Sequence, residues 1–432
     1  MEQKEYTQSV SKFLLPFYFE TENSNDYPFE KADFTRYQVM TRYLVKSVYE
    51  LFNGEDASCK CFYLNDEVRV KYELPQRYSV VNMHSDMIGC KGDFQYKLGS
   101  IRMIYFTSGI GFLETEIQYL ADDVKAITDI GYCIANIFTN EHDNGPKPNN
   151  LRFSYCDNEN GTQVLFSLKN SLLALLNAEK NAKKLTIFPS SERKRMLVYH
   201  AIICPDIHES NKCLHALSNG LHSGIYFDDN MDNYETFSSV AGQKWAVSSS
   251  GVASLALTND DNMHSDFLKK SFRKNTIYDY FYIFVFLIHE REILLLYNYQ
   301  AVKNRDNSKK LIGMKNDLLR LQIQYTYNTV STEAAYQKFY MNLAEEFNIS
   351  SLEEDIRGVV ENVENYVNDN KDRKTNTLLT AISVLAVFSV LTDGVAFADR
   401  IQDGGTFGIL QWSVICIVGL FILISILLLK KK

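Results

Sequence analysis

Catalytic sequence motifs are missing from this chain. Its 432 residues contain no Walker phosphate-binding loop, no dinucleotide-binding fingerprint and no metalloprotease motif. The short Gly-Ile-Gly at 109–111 lies in a predicted hairpin and is too short to cradle a phosphate. The sequence therefore predicts a protein that is not an enzyme.

Positive charge and a cysteine framework are also scarce. The formal net charge is −8 and the sequence pI is about 5.6, which argues against a general nucleic-acid binder. Eight cysteines occur without regular spacing, as expected in a reducing compartment. The first ten residues are polar and charged and do not resemble a signal peptide, so we expect the N-terminal part to remain in the cytosol.

Apolar residues are plentiful enough for a packed core, at 46% hydrophobic and 13% aromatic. Residues 1–260 are predicted to form a mixed α and β domain. Two β-hairpins are predicted, over Ile101–Tyr119 and over Gln243–Leu257. Phe13–Phe19 is a further strand candidate, which Pro16 is expected to confine to a sheet edge.

The two predicted hairpins share Ser-Gly turns. Aligning Gly109 with Gly251 places Ser108 on Ser250, which is consistent with an internal duplication and equally with ordinary turn chemistry. Small residues allow backbone amides to approach a phosphate or carboxylate closely. If this domain is a sensor, its candidate ligand-binding residues are Ser108, Gly109, Ser249, Ser250 and Gly251. Tight turns without a ligand are the alternative, and turn statistics favour it.

From residue 261 to 350 the pattern becomes helical. Ile277–Tyr299 is strongly apolar, but four ionisable residues at 289–292 would be costly in a bilayer, so a buried core helix is predicted. A stalk helix is predicted over 351–376, because Ser351 and Glu354 have capping-box spacing and a 3.5-residue repeat starts at Leu352.

Two apolar segments close the chain. Transmembrane helices are predicted over 377–398 and 409–429, joined by an outer loop at 399–408 and followed by a basic tail at 430–432. Basic residues flank both segments on one side, which predicts two spans in the inner (plasma) membrane with both termini cytoplasmic. The predicted fold class is an α+β cytosolic domain followed by a helical region, a long stalk helix and a two-helix transmembrane hairpin.

The 3.5-residue repeat continues into the first apolar segment, and its positions from 370 to 380, around the start of that segment, are polar. Polar groups facing lipid would be unfavourable, so in a symmetric oligomer this seam is predicted to line a pore with an apolar constriction. The predicted pore-lining residues are Asn370, Arg373, Thr377, Thr380, Val384, Val387 and Leu391. Asp393, Asp399 and Asp403 are predicted to form an acidic outer mouth. The alternative is a dimeric coiled coil that anchors the domain, with Asn370 setting its register.

This organisation resembles the CorA-type magnesium channel superfamily. The resemblance covers roughly 277–432 and rests on the long helix, the first span, the short outer loop, the second span and the terminal lysines. It implies a pentamer whose first span lines the pore, with Mg²⁺ or another divalent cation as the metal. The family's Gly-Met-Asn filter is missing: Leu391–Ala396 stands in its place, with Asp393 as the nearest substitute. Housekeeping magnesium uptake is therefore not expected.

Within this superfamily the chain looks like a branch with altered filters that is associated with type III CRISPR antiviral defence. That resemblance implies an effector channel that permeabilises the membrane to ions. A nucleotide second messenger, such as an S-adenosylmethionine–AMP conjugate, would open it from the cytosol. The implied partners are membrane lipid, further copies of the chain and a small nucleotide-type ligand, with no direct nucleic-acid binding.

Two other functions stay open at this point. One is a divergent divalent-cation transporter, closed by its own ion bound to carboxylates such as Glu353, Glu354 and Asp355. The other is a membrane-anchored binding scaffold that conducts no ions.

Overall fold

The computed structural model describes most of the chain, in two compact units. The described residues are 9–20, 26–87, 89–120, 123–139, 151–157, 161–191, 194–204, 210–225, 236–238, 241–257, 267–268, 273–304, 310, 313–314, 319, 327 and 329–401. The first unit comprises Met1–Lys303 and Asp317–Ile356, and the second comprises Asn304–Asn316 and Arg357–Lys432. Side chains are described for only part of 357–401.

Thirteen strands lie in the described part of the first unit. They are β1 (Val10–Phe19), β2 (Phe34–Tyr37), β3 (Cys59–Leu64), β4 (Val80–Met87), β5 (Cys90–Phe106), β6 (Ile110–Tyr119), β7 (Leu151–Cys156), β8 (Gln163–Phe166), β9 (Leu185–Ile187), β10 (Leu197–Cys204), β11 (Thr236–Phe237), β12 (Gln243–Ser248) and β13 (Gly251–Leu257).

All thirteen strands belong to one mixed sheet. Its order is β11-β12-β13-β10-β1-β6-β5-β4-β7-β8, with β3 also paired to β5, β2 to β3, and β9 to one end of β1. The described pairs are antiparallel, except that β10 and β13 run parallel. The hairpins therefore sit differently: β6 is antiparallel to β1, whereas β13 is parallel to β10, a contrast that a simple duplication does not predict.

The strand β1 lies in the middle of the sheet although it contains Pro16, so the expectation of an edge strand is wrong. On one side β1 pairs with β6 throughout. On the other side it pairs with β10 only as far as Leu14 and with β9 only from Phe17. The Pro16 carbonyl accepts a hydrogen bond from the Phe188 N–H on this second side. The missing N–H of Pro16 therefore falls in the gap between two partner strands, where the ladder needs no donor.

The helices of eight residues or more number seven in the described chain. They are α1 (Lys46–Asn53), α2 (Val124–Ala135), α3 (Leu168–Leu175), α4 (Ser210–Ser218), α5 (Phe281–Lys303), α6 (Ala334–Glu346) and α7 (Ile349–Ile401). Shorter helical turns cover Lys31–Asp33 and Asp66–Tyr72 as 3-10 helix and Arg273–Asn275 as α-helix, and a π-helical turn covers Thr276–Tyr280 immediately before α5.

Alternating side chains of β1 separate two layers of the core. Phe13 and Phe17 belong to the main apolar cluster, which also contains Ile127 of α2. The neighbouring Lys12 faces the other way, with its Nζ 3.7 Å from the ring centre of Phe281 in α5. Because successive strand residues point to opposite faces, α2 and α5 cover opposite faces of the sheet.

Several predictions for individual elements are confirmed. The strands β5 and β6 form the first predicted hairpin, and β12 and β13 form the second. The apolar segment predicted as a core helix is α5, which is buried over most of its length. His289 in its middle is fully buried and stacks on Phe106 at 3.7 Å between ring centres.

The predicted transmembrane hairpin is contradicted, and with it the fold class and the location in a membrane with two spans. Among the described residues, no helix is long and apolar enough to cross a bilayer. The predicted first span, 377–398, lies within α7, which continues the charged and polar residues 370–374 without a break. The predicted second span, 409–429, lies outside the described residues.

Candidate functional site

A cavity of about 770 Å³ in the first unit gathers side chains from distant parts of the sequence. We call it the tyrosine–arginine cavity. It lies where the ends of β2 and β3 meet the middle of β5 and the helical turns before α5. Its lining residues are Tyr37, Gln38, Met40, Arg42, Tyr63, Leu64, Asp66, Arg77, Ser100, Arg102, Lys274, Asn275, Tyr278, Asp279 and Tyr282.

A β-bulge in β5 shapes the buried side of the cavity. The pairing of β5 with β6 shifts register between Leu98 and Ile101, so Gly99 and Ser100 fall in the irregularity. A Cβ atom on Gly99 would lie 2.8 Å from a carboxylate oxygen of Glu116 and 3.1 Å from its carbonyl oxygen, so a larger residue would force Glu116 to move. Bulges redirect side chains next to functional sites, and this one places Ser100 and Arg102 at the cavity wall.

Behind this wall lies a buried network of two cations and two carboxylates. Arg102 Nη1 is 2.7 Å from Glu114 Oε1 and 3.3 Å from Glu116 Oε2. Lys12 Nζ is 3.3 Å from the same Glu114 oxygen. The Ser100 hydroxyl donates a hydrogen bond of 3.2 Å to Glu116 Oε2. The charge of Arg102 is therefore already balanced inside the protein.

Burial sets the protonation of this network. It lowers the pKa of Lys12 to about 8, because desolvation outweighs the attraction of Glu114. Burial by itself would raise the pKa of Glu116, but the charges of Arg102 and Lys12 and the Ser100 hydrogen bond hold it below its usual value. Lys12 and Glu116 therefore carry their charges at neutral pH.

Tyrosines supply the aromatic surfaces of the cavity. The hydroxyls of Tyr37 and Tyr282 are 2.8 Å apart and joined by a hydrogen bond. Burial raises the pKa of both phenols well above the usual value, so both remain neutral and able to donate. Tyr63 is 40% exposed and Tyr278 is half-buried, so their rings lie nearer the opening.

The π-helical turn Thr276–Tyr280 places Tyr278 and Asp279 on the cavity wall. Such turns are rare and occur frequently at functional sites. Asp279 is buried and accepts a 3.2 Å hydrogen bond from the backbone N–H of Arg42. Burial raises the pKa of Asp279 to about 6, although Arg42 and Lys274 oppose the shift.

The rim of the cavity carries the cations that are open to solvent. Arg42, Arg77 and Lys274 are exposed there, and Asp66 is an exposed carboxylate of the same rim. Arg77 also donates a 2.8 Å hydrogen bond to the hydroxyl of Tyr78 and lies over its ring. An anion entering the cavity therefore meets three exposed cations before it reaches the balanced charge of Arg102.

The Ser-Gly turns predicted to bind a ligand lie elsewhere, against α5. The Ser108 hydroxyl is 2.9 Å from His289 Nε2, and the Ser249 carbonyl accepts a 2.6 Å hydrogen bond from Arg291. The Ser250 carbonyl accepts a hydrogen bond from the N–H of Val198.

Both glycines of these turns meet neighbouring backbone. A Cβ atom on Gly109 would lie 2.8 Å from the Phe19 carbonyl oxygen, and one on Gly251 would lie 2.1 Å from that of Val198. Close packing of the turns thus accounts for the Ser-Gly sequences, and ligand binding there stays a prediction.

The predicted pore residues lie along α7. Arg373, Thr377, Thr380 and Val387 are exposed, and Val384 is half-buried. The hydroxyls of Thr377 and Thr380 donate to helix carbonyls one turn earlier. The side chains of Asn370, Leu391, Asp393 and Asp399, and all of Asp403, lie outside the described residues. Their assignment to a pore and an outer mouth stays a prediction.

The structure shows no metal centre among its described residues. In the described ranges, no group of three or more His, Cys, Asp or Glu side chains is arranged to hold a metal ion. A role for Mg²⁺ or another divalent cation therefore stays a prediction from resemblance.

Sequence reasoning missed the tyrosine–arginine cavity. Its residues come from 37–42, 63–66, 77, 100–102 and 274–282, so local motifs cannot reveal it. One local signal was present: Arg102, Glu114 and Glu116 are charged residues in a hairpin that is otherwise rich in apolar residues. Charged residues are almost never fully buried unless they are paired, so they pointed to a buried polar site.

Comparisons with known proteins assign no family. The sequence matches no protein-family model, and neither the curated proteins nor the solved structures contain a match.

Proposed function

We propose that this protein is a ligand-binding sensor whose first unit binds a small nucleotide-type ligand in the tyrosine–arginine cavity. The observation that carries the proposal is the convergence of four tyrosines and four cationic side chains around one space of about 770 Å³. That volume lies within the range of about 300–1,000 Å³ that is usual for small-molecule sites.

The tyrosines suit the base of such a ligand. Aromatic side chains stack on nucleobases whatever the base, and each stack contributes about 1–3 kcal/mol. Tyr63 and Tyr278 are the partly exposed rings of the cavity, and we assign the base to them. The neutral hydroxyls of Tyr37 and Tyr282 add hydrogen-bonding groups deeper in the cavity.

The rim cations suit the phosphate. Arg102 is held by Glu114 and Glu116 and contributes little net charge. Arg42, Arg77 and Lys274 are therefore the groups that we assign to the phosphate oxygens, since charge-assisted hydrogen bonds are roughly twice as strong as neutral ones. Asp66 and Asp279 offer acceptors for amino and hydroxyl groups of the ligand.

A sensor needs an element that its ligand can shift, and we assign this role to the π-helical turn beside the cavity. Tyr278 and Asp279 lie on the π-helical turn, which runs directly into α5. The same helix contacts both Ser-Gly turns through His289 and Arg291. A ligand that binds one arrangement of this turn better than another would shift the position of α5 across the sheet.

Isothermal titration calorimetry on the full chain tests the proposal. The panel is AMP, ATP, S-adenosylmethionine and an S-adenosylmethionine–AMP conjugate, with adenosine and inorganic phosphate as part-ligands. We expect at least one nucleotide to bind more tightly than either part-ligand. The double variant Arg42→Ala/Lys274→Ala should weaken its binding by at least about tenfold, because it removes charged hydrogen bonds.

The matched control is Lys91→Ala/Arg152→Ala, which removes two exposed cations outside the cavity. This control should bind like the unmodified protein. Absence of binding across the panel, or equal losses in the two double variants, would contradict the proposal.

A further inference from the structure

A pair of buried thiols lies where the β4–β5 hairpin meets α2, away from the tyrosine–arginine cavity. Cys90 is the first residue of β5, and Cys133 lies within α2. Their side chains are 2% and 0% exposed. The two Sγ atoms are only 3.1 Å apart.

This separation is short for two thiols that are not bonded. It exceeds a covalent sulfur–sulfur bond, about 2.05 Å, by only about 1 Å. The chain offers a comparison in Cys59 and Cys61, which are two residues apart on one strand with Sγ atoms 4.0 Å apart. Cys90 and Cys133, by contrast, approach each other from two different elements.

The surroundings make the two thiols unequal. The hydrogen bond from Cys133 lowers the pKa of Cys90, against the effect of burial. The same bond, together with burial, raises the pKa of Cys133. The Ser85 hydroxyl is 3.5 Å from Cys133 Sγ and 3.8 Å from Cys90 Sγ. Cys90 is thus the thiol that ionises first, and the thiolate is the reactive form of cysteine.

Both thiols are buried, so a reagent reaches either of them only after local opening, and Cys90 lies at the end of its strand. It follows Gly89, whose φ of +90° belongs to the tight end of the β4–β5 hairpin. Hairpin ends open locally at lower free energy than the middle of a buried helix. Cys133 sits inside α2 and is covered on all sides.

We propose that Cys90 and Cys133 form a reversible redox site that takes a low-molecular-weight disulfide such as glutathione disulfide. The Cys90 thiolate attacks one sulfur, forming a mixed disulfide and releasing one glutathione thiolate, which takes up a proton. Cys133, once deprotonated, attacks Cys90 Sγ and releases the second glutathione. The protein loses two protons and two electrons, and both are carried away by the two molecules of glutathione. The new bond ties the end of β5 to α2.

Mass spectrometry of the unmodified full chain tests this proposal. The protein is held native in glutathione disulfide, alkylated, digested and mapped. We expect a peptide linked through Cys90 and Cys133 that dithiothreitol separates. Thermal unfolding should shift upward by on the order of 5 °C, because the bond constrains the unfolded chain.

Controls use the chain's other cysteines. Exposed Cys156 should acquire glutathione, which shows that the oxidant acted. The variant Cys59→Ser/Cys61→Ser should still form the 90–133 link, and Cys90→Ser should not. The proposal is overturned if Cys156 reacts while Cys90 and Cys133 are recovered unlinked. It is also overturned if Cys90 stays bound to glutathione and no bond to Cys133 forms. Both of these outcomes are measured on the unmodified protein, so a variant that folds poorly does not obscure the result.

Discussion

At the scale of single residues, the tyrosine–arginine cavity is governed by how deeply each charge is buried. Arg42 and Lys274 are exposed, and their charges oppose the rise that burial causes in the pKa of Asp279. Arg102 is satisfied from behind by Glu114 and Glu116. The groups that remain for a ligand are therefore the exposed ones, and Asp279 is the buried group whose charge responds to mild acid.

Replacing Asp279 should change how stability depends on pH. The carboxyl ionises near its ordinary 3.8 when unfolded and at about 6 when folded, so the folded state holds more protons between these values. The free energy of unfolding therefore falls as pH rises from about 4 to 6. In the Asp279→Asn variant the side chain at this position cannot ionise, so its free energy of unfolding does not fall for this reason.

We expect the free energy of unfolding of Asp279→Asn, relative to that of the unmodified protein, to rise by about 2 kcal/mol between pH of about 4 and 7.5. Urea unfolding at both pH values, with Asp66→Asn as the matched cavity variant, measures the gain. A difference that stays constant with pH, or shrinks as pH rises, would show that Asp279 is not the buried carboxyl described here.

At the scale of elements, buried charges join the central strands. Lys12 of β1, Arg102 of β5 and Glu114 of β6 meet within 3.3 Å in a region with almost no solvent. Breaking such a network by removing one partner leaves the others buried without compensation. The strand pairing and the charge pairing thus depend on each other.

Glu114→Gln should therefore be strongly destabilising, by about 3–5 kcal/mol, because Lys12 and Arg102 lose their shared carboxylate. Chemical unfolding of the full chain followed by circular dichroism measures this. Glu50→Gln is the control, since Glu50 pairs with Lys46 at the surface and should cost less than about 1 kcal/mol. Similar costs for both variants would refute a structural role for the network.

Local patterns in the sequence identified elements with local causes. The hairpin around Gly109 and the apolar α5 were predictable, because turn chemistry and continuous apolar character lie within a few residues. The central place of β1 was not, because the tolerance of Pro16 depends on where β10 stops and β9 begins. Register between distant strands is a property of the fold, and no window of sequence contains it.

At the scale of the whole molecule, apolar content and a helical repeat are insufficient evidence for a membrane hairpin. They suggested a membrane hairpin, whereas no described helix is long and apolar enough to span a bilayer. The candidate site was missed for a related reason: its residues are far apart in sequence and converge only through β5 and the turn before α5. The ligand class stays a prediction from resemblance, and the tyrosine–arginine cavity is where we propose that such a ligand binds.

Hydrogen–deuterium exchange of the full chain, with and without the nucleotide that binds most tightly, tests the central claim most directly. We predict slower exchange at 37–42 and 274–282, the backbone that forms the cavity wall, and a smaller change at the Ser-Gly turns of 107–111 and 248–251, which contact α5. Slower exchange at those turns, with none at the cavity under saturating nucleotide, would contradict the claim.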